Sequence, residues 1–235
     1  MLLGKKIIAI IPARSKSKGL KNKNIKKISS IPLLGFTGLF LDKLNYIDER
    51  IISTDSIEYQ KIASNFNFNS YFLRPKNLSG PSISDIQVIN HAIKYIENYK
   101  KEKYDIILYL QPTSPHRKKN DVTKAIKHLI NNNLDSVWSV SKIDKKFHPL
   151  KVLKKEKNNT FKYYLSEGSK IIARQQLSDV YIRNGVFYIL NVKSFKNSNS
   201  LIGKKNYLYL IKDKTFNIDN FEDFNNFKKF YDEHN

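Results

Sequence analysis

Two apolar rhythms alternate along this chain. Residues 6–13 (KIIAIIPA) are apolar on both faces and run into turn-prone residues, the pattern of a strand covered on both sides. Residues 50–55 (RIISTD), 104–110 (YDIILYL) and the β-branched stretch 134–140 (LDSVWSV) have the same character. Between them, apolar residues recur at three- and four-residue spacing. Residues 56–66 carry Ile57, Ile62 and Ala63 behind early acids. Residues 85–99 carry Ile86, Ile89, Ile93 and Ile96 behind Ser84, an N-cap candidate. Residues 121–130 repeat the helical pattern with Val122, Ala125, Ile126, Leu129 and Ile130. One more strand is expected to end near Leu73, the strand pattern resumes at 186–190 and 207–211, and a helix over 221–231 closes the chain. Strands alternating with helices predict an α/β fold, a mostly parallel sheet with helices on both faces. Over 142–182 the rhythm breaks into Lys- and Asn-rich sequence with Pro149, Phe161, Tyr163 and Tyr164. This segment reads as an excursion from the sheet, a hairpin arm that makes dimer contacts. No repeat and no linker composition divides the chain, so residues 1–235 read as one domain with 142–182 inserted.

Composition narrows the classes. The chain has 235 residues, 40% of them apolar and 27% charged, a globular balance that argues against wholesale disorder. Its longest apolar runs, 7–11 and 106–110, fall far short of the roughly 18 residues of a membrane span. The start, MLLGKK, has its charges behind the leucines, unlike a signal peptide. With no cysteine, the chain has no disulfides, thiolate metal sites or cysteine nucleophile. A soluble cytoplasmic protein is expected. The net charge of +21 invites a nucleic-acid reading, with salt-sensitive binding to DNA or RNA. Yet 36 of the 42 basic residues are Lys, spread along a chain that also holds 25 Asn and 29 Ile, the coding bias of an AT-rich genome. What remains is an anionic partner, for which a small phosphate or carboxylate ligand suffices.

Parallel sheets place ligands beyond the carboxyl ends of their strands. After the first strand, residues 13–24 hold one Arg, four Lys, two Ser and a Gly. Such a loop wraps a polyphosphate or is simply solvated surface; it has neither the P-loop nor the G-x-G-x-x-G spacing. Asp55 ends a strand or caps a helix. Two prolines stiffen the loop after 104–110 and hold the Gln111 amide at a strand end, where it serves a ligand or the loop backbone. Asn217 and Asp219 face the same way if extended, and Asp219 equally suits a helix cap. His116 and His148 are too scattered for a zinc site.

Taken in order, the segments I-I-P-A-R-S-x-S-K-G-L-x-x-K-N, I-S-T-D, R-P-x-x-L-S, L-Q-P-T-S-P-x-R, H-P-L-K, R-Q-Q-L, N-G-x-x-Y-I and I-D-x-x-x-D-F are collinear with those of the acylneuraminate cytidylyltransferases. The chain resembles that family, the CMP-sialic acid synthetases, from about residue 6 to 230. The resemblance implies a single Rossmann-like nucleotidyltransferase domain whose dimerisation arm is 142–182. It implies transfer of CMP from CTP to the anomeric hydroxyl of a sialic-type acid, with Mg²⁺ and release of pyrophosphate, in a homodimer. By match of position, Arg14, Ser17, Lys18, Lys23 and Asn24 grip the phosphates, with Arg14, Lys18, Lys23 and Asp219 as the catalytic set. Arg74, Ser84 and Asp85 contact the rest of CTP, although Pro81 stands where many members have Asp. Gln111, Lys151, Arg174 and Tyr188 serve the sugar acid, the two cations its carboxylate. Asp219 and Asn217 form the metal corner, where Asp-x-Asp is common in the family. Legionaminic, pseudaminic and 3-deoxy-octulosonic acids share the 2-keto carboxylate and remain alternative substrates.

Overall fold

The computed structural model describes residues 1–16 and 19–234. Along the chain come β1 (Ile7–Pro12), β2 (Lys27–Ile28), β3 (Ile31–Pro32), α1 (Leu33–Asp42), β4 (Glu49–Ser53) and α2 (Ile57–Ser64). Next follow α3 (Asp85–Lys100), β5 (Ile106–Tyr109), α4 (Lys119–Asn131) and β6 (Ser136–Lys142). The last third holds β7 (Leu153–Lys155), β8 (Phe161–Tyr163), β9 (Tyr181–Asn191), α5 (Val192–Ser198), β10 (Asn206–Leu210) and α6 (Phe221–His234). Six strands make the main sheet in the order β10-β6-β9-β5-β1-β4. The pairs β1–β4, β1–β5 and β10–β6 are parallel, and β9 runs antiparallel between β5 and β6. The reversal of β9 has a consequence for the site: its amino end lies at the edge where β1, β4 and β5 finish.

The apolar β1 run is divided by the strand's alternation. Ile7, Ala9 and Ile11 face a core closed by α1, α2 and α4, through residues such as Leu34, Tyr59 and Ile126. Ile8 and Ile10 face the opposite core, closed by α3 and α5 through Ile89, Ile93 and Phe195. Ser84 caps α3 as expected, and Gln87 completes a capping box with it. A third cluster seats Phe224 and Phe227 of α6 on Leu33 and Phe36 of α1, and it includes Ile218.

Two expectations are corrected. No strand ends near Leu73: Asn69 makes an isolated bridge with Ile51, residues 70–75 carry no regular structure, and the Arg74 amide donates to the Thr54 carbonyl at 2.7 Å. Asp55 does not cap α2; Ser56 does, accepting from the Tyr59 amide at 3.3 Å. Between β6 and β9 the chain leaves the sheet, and β7 and β8 form a small antiparallel ladder. This excursion exposes Phe147, Phe161, Tyr164 and Ile172.

Candidate active site

A cleft of about 530 Å³ opens beyond the carboxyl ends of β1 and β5. Arg14 enters it just after β1, its guanidinium donating to the Gly80 carbonyl at 3.1 Å. The buried Asn24 amide donates to the Arg14 carbonyl at 3.1 Å, and Asp55 accepts from the Ser15 amide (2.7 Å) and hydroxyl (3.1 Å). These bonds fix the start of the basic loop. Lys23, on a 3₁₀ turn over Lys23–Ile25, also lines the cleft.

Arg74 is the unusual group. It is only 4% exposed, forms no ion pair among the described residues, and leaves its Nε donor without a partner. Burial lowers its pKa, and the nearby Asp55, Tyr109 and Asp85 act against that shift. A buried cation with a free donor on the wall of a cleft is costly unless an anion binds there. Asp85, at the start of α3, accepts from the Tyr109 hydroxyl at 2.6 Å and from the Gln111 amide at 3.5 Å. Burial, followed by the Asp85 charge, raises the Tyr109 pKa well above its ordinary value and keeps that phenol a neutral donor.

Asn217 and Asp219 reach the cleft because residues 216–219 alternate: Phe216 and Ile218 are buried, and Asn217 and Asp219 face out. The Ile218 amide ties this segment to the Thr113 carbonyl at 2.8 Å. Asp219 accepts from Lys23 Nζ at 2.9 Å and from the Asn217 amide at 3.0 Å. Among the described residues no group of three His, Cys, Asp or Glu could hold a metal. One hard carboxylate, already shared with a lysine, fits a divalent ion that arrives on a triphosphate and not one held by protein ligands alone. Asp219 is not the cap of α6: Asn220 takes that role, accepting from the Asp223 amide at 2.9 Å.

Gln111 is held by its surroundings. Gly185 has φ of 72°, and a Cβ there would stand 3.1 Å from the Gln111 amide oxygen and 2.6 Å from Ser114 Oγ. Arg117, the last residue of the L-Q-P-T-S-P-x-R segment, is a positioning residue to which the sequence reading gave no role. Its guanidinium donates to the carbonyls of Gln111 (2.5 Å) and Val186 (2.8 Å) and to Thr37 Oγ1 (3.1 Å). One side chain thus joins β5, β9 and α1.

The other expected site residues are distributed less simply. Ser84 is committed to the α3 cap and does not line the cleft. Tyr188 is buried behind Tyr109, their ring centroids 6.3 Å apart. Lys151 and Arg174 lie on the excursion, away from the cleft; Arg174 is 70% exposed and faces Asp144 at 3.7 Å. Ser17 and Lys18 lie outside the described residues.

The mixed sheet, with Arg14, Lys23 and Arg74 gathered beyond the ends of its parallel strands, defines an α/β protein with a basic ligand cleft. The chain belongs to the cytidylyltransferase family, whose model matches residues 8–234. It is 29% identical over 221 residues to the N-acylneuraminate cytidylyltransferase of Escherichia coli O18:K1:H7, covering 93% of this chain and 50% of that protein. The chain therefore spans half the length of that relative. It is 29% identical over 198 residues to the CMP-N,N'-diacetyllegionaminic acid synthase of Legionella pneumophila, covering 83% of this chain and 82% of that one. Its fold matches a CMP:2-keto-3-deoxy-manno-octonic acid synthetase solved with CTP, at a TM-score of 0.71 and 14% identity over 98% of this chain and 100% of the other. No helix among the described residues is long and apolar enough to cross a membrane.

Proposed function

We propose that this chain transfers CMP from CTP to the anomeric hydroxyl of a nine-carbon 2-keto sugar acid of the sialic type. The observation that carries the reading is Arg74, a buried guanidinium with an unpaired donor that shares one cleft with Arg14 and Lys23. In a cytidylyltransferase, that arrangement suits CTP, with Arg14 and Lys23 set toward its phosphates and the free Arg74 donor toward its cytidine. The anomeric oxygen attacks the α-phosphorus, the bond from that phosphorus to the α,β-bridging oxygen breaks, and pyrophosphate leaves with the bonding electrons. The hydroxyl proton goes to solvent. Such chemistry asks the protein mainly for positioning and charge neutralisation.

On this reading Arg14, Lys23 and Asn24 take the phosphates, with Ser17 and Lys18 of the same loop, and Arg74 and Asp85 take the nucleoside side. Gln111 faces the sugar acid, backed by Tyr188. Asp219, with the Asn217 carbonyl, would hold a Mg²⁺ brought in by the nucleotide, and that ion would neutralise charge on the triphosphate. A homodimer completes the site: the apolar surface of the excursion packs on a second copy and carries Lys151 and Arg174 to the partner's cleft. Exposed apolar side chains clustered on one arm support that assembly. The enzyme would work in the cytoplasm, where CTP is made.

A pyrophosphate-release assay with CTP and a panel of sialic, legionaminic, pseudaminic and 3-deoxy-octulosonic acids tests the reading and picks the substrate. Turnover with a nine-carbon acid supports it. No pyrophosphate with any acid of the panel would refute it.

A further inference from the structure

Arg183 lies where β9 enters the sheet, exposed, with its guanidinium carbon 5.7 Å from the centroid of the Trp138 ring. Trp138 is itself fixed. Its indole N–H donates to the Leu201 carbonyl at 3.0 Å, and its ring meets Tyr188 edge-on at 5.1 Å. An aromatic face orients a guanidinium without consuming its N–H donors. No acid consumes them either: among the described residues Arg183 forms no ion pair, whereas Arg50 is bound to Asp42 and Arg174 faces Asp144.

The next two residues connect Arg183 to the cleft. The Asn184 carbonyl accepts from Ser114 Oγ at 3.2 Å, and Gly185 lies against the Gln111 amide. The strand order β1-β5-β9 sets Gln111 between the basic loop after β1 and Arg183. Arg183 lies just outside the residues that line the cleft, on the side toward which a ligand reaching from the phosphate loop past Gln111 would extend. Arg183 comes from the same chain as the cleft and needs no second copy to be in place.

We propose that Arg183 is the cation this chain itself sets against the carboxylate of the acid substrate, so that it selects acids over uncharged analogues. The proposal rests on the sugar-acid reading above. A guanidinium set over the Trp138 ring keeps its N–H groups free, and two of them in parallel match the geometry that a carboxylate accepts in bidentate fashion.

The test is steady-state kinetics of the full chain with CTP, the best acid of the panel and the methyl ester of that acid, which keeps the anomeric hydroxyl and loses the charge. Arg183→Gln should raise KM for the acid about tenfold or more, leave KM for CTP unchanged, and collapse the preference for acid over ester. Arg183→Lys, which keeps the charge but not the planar fork, should fall between. Unchanged acid KM and an unchanged acid-to-ester ratio in Arg183→Gln would overturn the proposal. Equal losses with acid and ester, or a parallel rise in KM for CTP, would show a structural role and overturn it too. A wild-type chain inactive with every acid removes the sugar-acid reading itself, and the proposal with it.

Discussion

Arg117→Met should destabilise the protein and blunt its use of the acid together. The native side chain makes three hydrogen bonds, to the Gln111 and Val186 carbonyls and the Thr37 hydroxyl. Its guanidinium is enclosed although part of the side chain reaches the surface, and burial pulls its pKa down to about 9. Methionine fills much of the same volume but orphans the buried Val186 carbonyl, at about 1–3 kcal/mol, and removes the bonds to the Thr37 hydroxyl and to the Gln111 carbonyl, which keeps the Ser114 amide at 3.0 Å, at about 1 kcal/mol each. Relief from burying a charge offsets part of that cost. A net loss of about 2–4 kcal/mol follows, or about 5–15 °C in melting temperature for a chain of this size. Because the lost bonds tie the ends of β5 and β9 together, KM for the acid should rise more than KM for CTP. Urea unfolding gives the first number and steady-state kinetics the second. A variant within about 0.5 kcal/mol of wild type, with both KM values intact, would refute the view that Arg117 holds the cleft together.

Arg74→Met should weaken CTP binding about 10- to 100-fold by calorimetry while leaving stability equal or higher, because it removes a buried cation that has no acid partner; marked destabilisation would make Arg74 structural instead. Asp219→Ala should abolish most turnover with the fold intact, and Asn217→Asp should lower the Mg²⁺ concentration at half-maximal rate; if Asp219→Ala turns over normally with no greater need for Mg²⁺, the metal corner is misassigned. His91 is held below its ordinary pKa of 6.5 by burial and then by Arg74. The unfolded chain takes up this proton before the native one does, so stability should fall as pH drops through about 6.5 and stay flat above it. Unfolding free energies at about pH 5.5 and 7.5 should differ less in His91→Gln than in wild type; equal differences would exclude His91 as a source of the slope.

Much of the sheet was legible because its strands are buried on both faces and read as unbroken apolar runs: 6–13, 50–55, 104–110 and 134–140 became β1, β4, β5 and β6. Helices α2, α3, α4 and α6 were visible through their spacing, and Ser84 marked the start of α3. Helix α1 was not visible. Its sequence, LLGFTGLFLD, is apolar nearly all round and carries two glycines, so it shows no amphipathic period. Tertiary contact decides it: a Cβ on Gly35 or Gly38 would come within 2.7 Å of Phe66. The reversal of β9 also left no trace, since an apolar strand reads the same in either direction.

The site divides in the same way. Residues in the segments that follow the strands, such as Arg14, Lys23, Gln111 and Asp219, were marked by motif and do line one cleft. The burial of Arg74 and the three-way tie made by Arg117 depend on long-range packing that no local pattern encodes. Lys151 and Arg174 matched motifs as firmly as Gln111 did, yet a single chain keeps them on its excursion, apart from that cleft.

If the proposed function holds, the cleft directs an acceptor oxygen to the α-phosphorus of CTP. CTP labelled with ³²P at the α-phosphate, incubated with Mg²⁺ and the acid panel, reports that transfer. The label should move into an acid-labile sugar nucleotide as unlabelled pyrophosphate is released in equal amount. Label found in CDP, or in free CMP formed without any requirement for the acid, would contradict it.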